Sequence, residues 1–319
     1  MPDRKNLKKV LRAIGVVLFI YVLSMVHWPE FLEILKKINV FYFLLGILLI
    51  IPAVSVRALR WRELVHSTDT RISPKTSIII FAKGLFWGVI TPGKIGEFAR
   101  AKYLTEKSDI SLDKALFTVV FDKITEFFMA AFLSIPAVLA LFYLFKADVL
   151  SIALILALFI TLGIYLLAKR GSNQRFLKPL FQIFIFDSLK KKAETFLDGF
   201  FEETKKITKT LIVKLFCYEL VTYLLTALIF FSIALSLSVT IPFWYLCLMI
   251  PLITIIMALP VSILGLGTRE ATFIFLFAFI NLSLNQAVAF SFLVMFWSIA
   301  SGLPGFILTY WPMKIFKKP

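Results

Sequence analysis

The chain is 319 residues long and 60% hydrophobic, with a mean hydropathy of +0.91 and a formal charge of +16. Soluble domains stay near roughly 45–50% apolar residues, so a water-soluble fold is excluded and an integral membrane protein is expected. The basic residues fall between the apolar runs instead of forming a recognition module, which excludes a nucleic-acid partner and fits positive-inside topology with attraction to anionic headgroups.

Arg4, Lys5, Lys8 and Lys9 precede an apolar stretch at 10–28 that has no small-residue cleavage site and is too long for a signal-peptide core, so it predicts a first transmembrane helix. A helical span needs about 20 largely apolar residues, and further candidates lie near 40–56, 117–145, 149–168, 211–236 and 286–311. Two more apolar regions, 77–92 and 243–280, are interrupted by Pro and Gly. Both flanks of 77–92 are basic, and retention of Lys and Arg on the cytoplasmic side predicts that this region enters and leaves from there. The region 243–280 then dips from the opposite face. The loop 29–39 is read as outer, and 57–76, 93–114, 169–210 and both termini as cytoplasmic. Within 169–210, Lys190 to Lys192, Phe196, Leu197, Phe200, Phe201, Ile207 and Leu211 alternate charge with apolar side chains, as in an interfacial amphipathic helix.

The predicted fold is therefore all-α: a polytopic integral membrane helical bundle of about six full spans and two re-entrant helical hairpins. It forms one membrane domain over 1–319 in the cell membrane, with 1–145 and 211–319 as halves of an inverted repeat. Cys217 and Cys247 sit in apolar runs and read as packing residues; they provide no disulfide framework or paired-cysteine metal motif. His27 and His66 are the only histidines, so no His-rich metal site is expected, and no cofactor or metal is assigned. No nucleotide-binding loop motif occurs.

Three segments carry candidate chemistry. In Gly84 to Tyr103 an apolar arm breaks at Pro92 and Gly93, followed by Lys94, Gly96, Glu97 and Arg100, with Glu97 and Arg100 on one helical face. Leu259 to Thr272 repeats the pattern: Pro260, then Gly265 and Gly267, then Arg269 and Glu270 opening a helix. Both breaks are expected to expose backbone N–H groups at a half-helix start, an anion site, and two such breaks from opposite faces are the pattern of inverted-repeat transporters. The third segment places Asp122, Lys123 and Glu126 on one span, either as partners of Arg100 or Arg269 or as acid–base groups. Arg57, Arg60 and Arg62, beside Trp61, read as an interfacial anchor or a headgroup contact; Glu219 and Lys83 stand alone in apolar surroundings.

The ordered set RALRWRELV at 57–65, TPGKIGEFARAKYL at 91–104, VVFDKITEF at 119–127 and LPVSILGLGTREATF at 259–273 resembles the lysylphosphatidylglycerol synthase transmembrane-domain family of flippase-like proteins. The resemblance implies a bundle with re-entrant hairpins and, in one branch, transbilayer movement of aminoacylated phosphatidylglycerol. Aminoacyl transfer in those relatives belongs to a separate cytosolic domain, so synthase activity is not expected of these 319 residues. Lys94, Glu97, Arg100, Asp122, Glu126, Arg269 and Glu270 are the expected substrate-binding residues, with Pro92, Gly93, Gly96, Pro260, Gly265 and Gly267 as hairpin backbone. The expected function is translocation of a phospholipid or glycolipid, its anionic headgroup held by Arg100, Arg269 and exposed backbone N–H groups. The alternatives are a membrane-embedded enzyme acting on lipid headgroups or lipid-linked sugars, and a non-catalytic partner of a separately encoded lipid-modifying enzyme. Membrane lipids are the expected partners, with a homo-oligomer left open.

Overall fold

The computed structural model describes residues 15, 17–145, 199–258 and 265–311. Among these, 83% are helical and none is in a strand, which fixes the all-α class. The elements are α1 (Val17–Met25), α2 (Trp28–Lys36), α3 (Val40–Leu48), α4 (Ile50–His66), α5 (Pro74–Ile90), a 3₁₀ turn (Pro92–Phe98), α6 (Ala99–Thr105), α7 (Leu112–Leu133), α8 (Ile135–Phe145), α9 (Lys209–Ser236), α10 (Phe243–Ala258), α11 (Thr268–Ala278) and α12 (Leu284–Tyr310). Helix starts follow their local chemistry. Asn39, Ser111 and Thr208 each accept a backbone N–H of the first turn, and Ser283 and Gln286 form a reciprocal capping box.

Among the described residues, four helices are long and apolar enough to cross a membrane: Val40–His66, Leu112–Leu144, Lys209–Ser236 and Leu284–Tyr310. A fifth span results if α1 and α2 count together. The predicted stretches at 40–56, 117–145, 211–236 and 286–311 fall on the four long helices; of the one at 10–28 the structure shows α1 at 17–25, residues 10–14 and 16 lying outside the described residues, as does the stretch at 149–168. The span predicted to end at residue 56 instead continues as helix to His66, so Arg57, Arg60 and Arg62 are helical, not in a loop. Residues 29–39 likewise are not a plain loop, since α2 turns 86° from α1. That bend is tied to the start of α12: Asn285 accepts from the His27 N–H at 3.1 Å, and its amide donates to Glu30 at 2.5 Å.

Between lipid-solvated helices there is little hydrophobic drive, so close packing and polar contacts hold the bundle together. Phe230, Phe273, Phe277 and Phe290 knit α9, α11 and α12, with neighbouring ring centroids 5.0–6.0 Å apart. Residues 199–205 are helical, and Phe200 stacks 5.2 Å from Phe117. Phe200, Phe201 and Ile207 are buried, so this end of the connector packs on α7 and not on lipid; Lys190 to Lys192, Phe196 and Leu197 lie outside the described residues. Cys217 and Cys247 correct another expectation, because both are exposed on the outer surface of their helices.

Two helical hairpins approach each other along α12. In the first, α5 runs out and the segment 92–105 folds back beside it, so that Ile72 and Ile110, at its two ends, share one apolar cluster with Val65. In the second, the hydroxyl of Tyr245 near the start of α10 donates to the carbonyl of Leu276 near the end of α11, at 2.5 Å. This contact closes the open end of the second hairpin. Tyr245→Phe is therefore expected to cost about 1–2 kcal/mol by leaving the hairpin unlatched, measurable as a lowered unfolding midpoint in detergent. The first hairpin lies against α12 at Gly302 and Gly305, the second at Ser291. At a 1.5 Å rise per residue the two contact zones are separated by about 15–20 Å along the helix.

Candidate functional site

Eight of the charged residues singled out above, Lys123 and Glu219 among them, are joined by ion pairs in one network. Arg57 and Arg60 are one turn apart on α4, and Asp122 and Glu126 one turn apart on the facing α7. Asp122 is the hinge of the network. One oxygen accepts from Arg60 Nε at 3.1 Å and faces Nη2 at 2.9 Å, while the other accepts from Arg100 Nη1 at 3.0 Å. Arg60 also pairs with Glu219 of α9. On the other side, Lys123 bridges Glu97 and Glu126, at 2.7 Å to each, and Arg57 lies 3.8 Å from Glu126.

The hairpin supplies Glu97 and Arg100 because α5 presents glycines to them. A Cβ on Gly88 would sit 2.6 Å from Cγ of Glu97, and one on Gly84 would overlap the methylenes of Arg100. The bare face lets both charged side chains run against the helix before reaching α7. The guanidinium of Arg100 lies 4.7 Å from the ring of Phe81 and 5.3 Å from that of Trp61, whose indole N–H donates to Thr118 at 3.1 Å. The turn itself is held by Thr91, whose hydroxyl donates to the carbonyl of Trp87 and accepts from the N–H of Gly96, both at 2.7 Å. Gly96 has no room for a Cβ, which would overlap the Trp87 carbonyl. Gly93 and Lys94 both take left-handed backbone at φ 61° and 56°, a conformation unfavourable for lysine.

The network has a sealed half and an open half. Arg60, Arg100, Asp122 and Glu219 are all buried, two positive charges against two negative. On the open half the side chains of Arg57 and Lys123 are 18% and 14% exposed, and Lys94 is exposed. The Lys94 backbone N–H donates to the Thr91 carbonyl at 3.3 Å, while its ammonium makes no hydrogen bond or ion pair among the described residues and has Glu126, Glu97, Lys123 and Arg57 as charged neighbours.

Arg269 and Glu270 form a separate, sealed network. Arg269 donates to Glu270 and, at 2.8 Å, to the hydroxyl of Ser291 on α12; that hydroxyl donates to Glu270 at 3.0 Å. The other oxygen of Glu270 accepts the N–H of Gly267 at 2.6 Å, where Gly265 and Gly267 take positive φ. The anion expected at this half-helix start is thus the protein's own carboxylate, and at the first break the N–H of Gly96 is taken by Thr91. Among the described residues the ion pairs of Arg100, to Glu97 and Asp122, and that of Arg269, to Glu270, share no partner. Pro260 lies outside the described residues.

Residues 10–305 match the family described as lysylphosphatidylglycerol synthase TM region. The chain belongs to this family. No curated protein matches it. As a lysylphosphatidylglycerol synthase TM-region protein it is a membrane protein, and the match covers both hairpins and the whole first network.

Within this family member, the three arginines of α4 separate into different roles. Arg60 is the buried centre of the network and cannot contact a headgroup from there, Arg57 sits at its open edge, and Arg62 donates to the carbonyl of Ile72 at 2.8 Å to hold the α4–α5 connection. Lys83 is not an isolated base, because its ammonium lies 4.8 Å from the ring of Tyr103. Two participants escaped assignment to the candidate site from sequence, Lys123 as the bridge and Glu219 as the partner of Arg60. Lys123 was visible between Asp122 and Glu126 in the third segment, whereas Glu219 had only its place as an acid in apolar sequence.

Proposed function

We propose that this protein moves a phospholipid or glycolipid across the cell membrane, its headgroup passing the open half of the network at Arg57, Lys94, Glu97, Lys123 and Glu126. The observation that carries this reading is the accessibility of charges in a bundle of membrane-spanning length. Ionisable groups at membrane depth are costly unless paired or placed on a polar path. The sealed half meets the first condition, and the open half supports the second. Lys123 offers an ammonium to a headgroup phosphate, while Glu97 and Glu126, once it turns away, offer carboxylates to an amine or sugar hydroxyl. Irregular backbone at 92–98 is tolerated in a bilayer where it is buried in protein or lines such a path, which supports a re-entrant first hairpin entering from the side of the basic loops and cytoplasmic termini. Arg269 and Glu270 then hold the second hairpin in shape instead of touching the headgroup.

Purified protein in liposomes is expected to accelerate exchange of a fluorescent phospholipid between leaflets. Glu97→Gln should slow it by roughly tenfold or more, as for loss of one charge-assisted contact in a low-dielectric site, in protein confirmed to be folded at the assay temperature. Exchange no faster than in empty liposomes would reject the reading.

A further inference from the structure

We infer that the open half of the network is selective for headgroups of net negative charge, with a phosphate seated among Lys94, Lys123 and Arg57. The inference rests on the translocation reading and goes further by naming the charge class of the substrate.

The argument begins with the charge balance. The sealed half, Arg60 and Arg100 against Asp122 and Glu219, is neutral. The open half holds Arg57, Lys94 and Lys123 against Glu97 and Glu126, so one positive charge is left over among the described residues. In a low-dielectric surround an uncompensated charge attracts a counter-charge far more strongly than in water. Lys94 is the surplus group, since each of the other cations already faces a carboxylate.

Backbone geometry points the same way. Left-handed backbone at a lysine costs free energy, and here it occurs at φ 56° immediately after Gly93 at φ 61°. Together these residues turn the chain at the tip of the hairpin and leave an exposed ammonium that bonds to no described side chain and has Lys123 and Arg57 among its charged neighbours. Strained backbone carrying an unpaired charge is a common feature of ligand sites. The neighbouring cations are also held unequally. Arg57 stands 3.8 Å from its carboxylate, beyond hydrogen-bond length, so its guanidinium is available to a second anion. Arginine and two ammonium groups suit a phosphate, which accepts several charge-assisted hydrogen bonds. A zwitterionic headgroup satisfies the surplus less well, because its own cation must enter the same positive region.

The test uses full-length protein in phosphatidylcholine liposomes carrying trace fluorescent phosphatidylglycerol or phosphatidylcholine. Wild-type protein should move the anionic lipid faster by roughly fivefold, the size of one partly screened charge contact. Lys94→Arg should keep that preference, and Lys94→Glu should abolish or reverse the ratio of the anionic to the zwitterionic rate, whatever the absolute rates. Equal wild-type rates, or a preference unchanged in Lys94→Glu, would overturn the inference while leaving translocation intact. Absence of any transfer would overturn the translocation reading itself. Glycerol phosphate at millimolar concentration should compete with phosphatidylglycerol through the same group. If inorganic phosphate raises the unfolding midpoint of the wild type but not of Lys94→Glu, while lipid transfer ignores headgroup charge, the site belongs to a free anion and the lipid assignment fails.

Discussion

Replacing Arg60 with alanine should lower the stability of the folded bundle by about 3–5 kcal/mol, the range for breaking a buried ion pair from one side. The expected loss is large because the three carboxylates that Arg60 faces are affected differently, and Glu126, 3.8 Å away, still has Lys123 at 2.7 Å. Asp122 keeps Arg100 at 3.0 Å, so half of its compensation survives. Glu219 has no other ion-pair partner among the described residues, and it is buried on α9. The variant would leave a bare carboxylate between helices, and the protein must either protonate it or open α9 away from α4. Removing both charges is a different experiment. Arg60→Met combined with Glu219→Gln is expected to recover at least half of the loss, since an apolar side chain of similar length fills the space and no charge is stranded. Thermal unfolding of the detergent-purified variants provides the comparison. If Arg60→Ala loses less than about 1 kcal/mol, the size of an exposed pair, the buried network does not hold α4, α7 and α9 together.

The sequence pattern was most readable where a single segment carried the signal alone. Apolar length marked the helices that begin at Val40, Leu112, Lys209 and Leu284. Both Pro and Gly breaks were visible because charges directly follow them, and Asp122 and Glu126 stood out as acids one turn apart. What could not be read depended on partners distant in sequence. Arg57, Arg60 and Arg62 resemble a basic loop by composition, and only the carboxylates of α7 and α9 make them tenable on a helix inside the bundle. The bend between α1 and α2 has the same origin, since it is fixed by Asn285 at the far end of the chain. The two hairpin motifs look equivalent as strings of residues. They differ in structure because Glu270 turns back onto the N–H of Gly267, whereas Glu97 reaches across to Lys123.

The contact of α12 with the first hairpin predicts opposite outcomes for two glycines three residues apart. A Cβ at Gly302 would meet Cγ2 of Val89 at 3.4 Å, an ordinary van der Waals distance. Gly302→Ala is therefore expected to stabilise by about 0.5 kcal/mol, through the usual helical preference for alanine. At Gly305 the same atom would overlap the carbonyl of Ala82, so backbone would have to yield. Gly305→Ala should cost about 3 kcal/mol, the upper end for overpacking a tight contact, even though alanine is the better helix former. Between helices in lipid such small-residue contacts supply much of the association energy, and this one sets where α5 stands. The opposite face of α5 carries Gly84 and Gly88 against Arg100 and Glu97. A shift of α5 away from α12 therefore moves the helix toward both charged residues and disturbs the bridge at Lys123. Unfolding midpoints of opposite sign for Gly302→Ala and Gly305→Ala, with transfer slowed only in the latter, are the expected result. Equal destabilisation by both would show that α5 and α12 do not touch at this register.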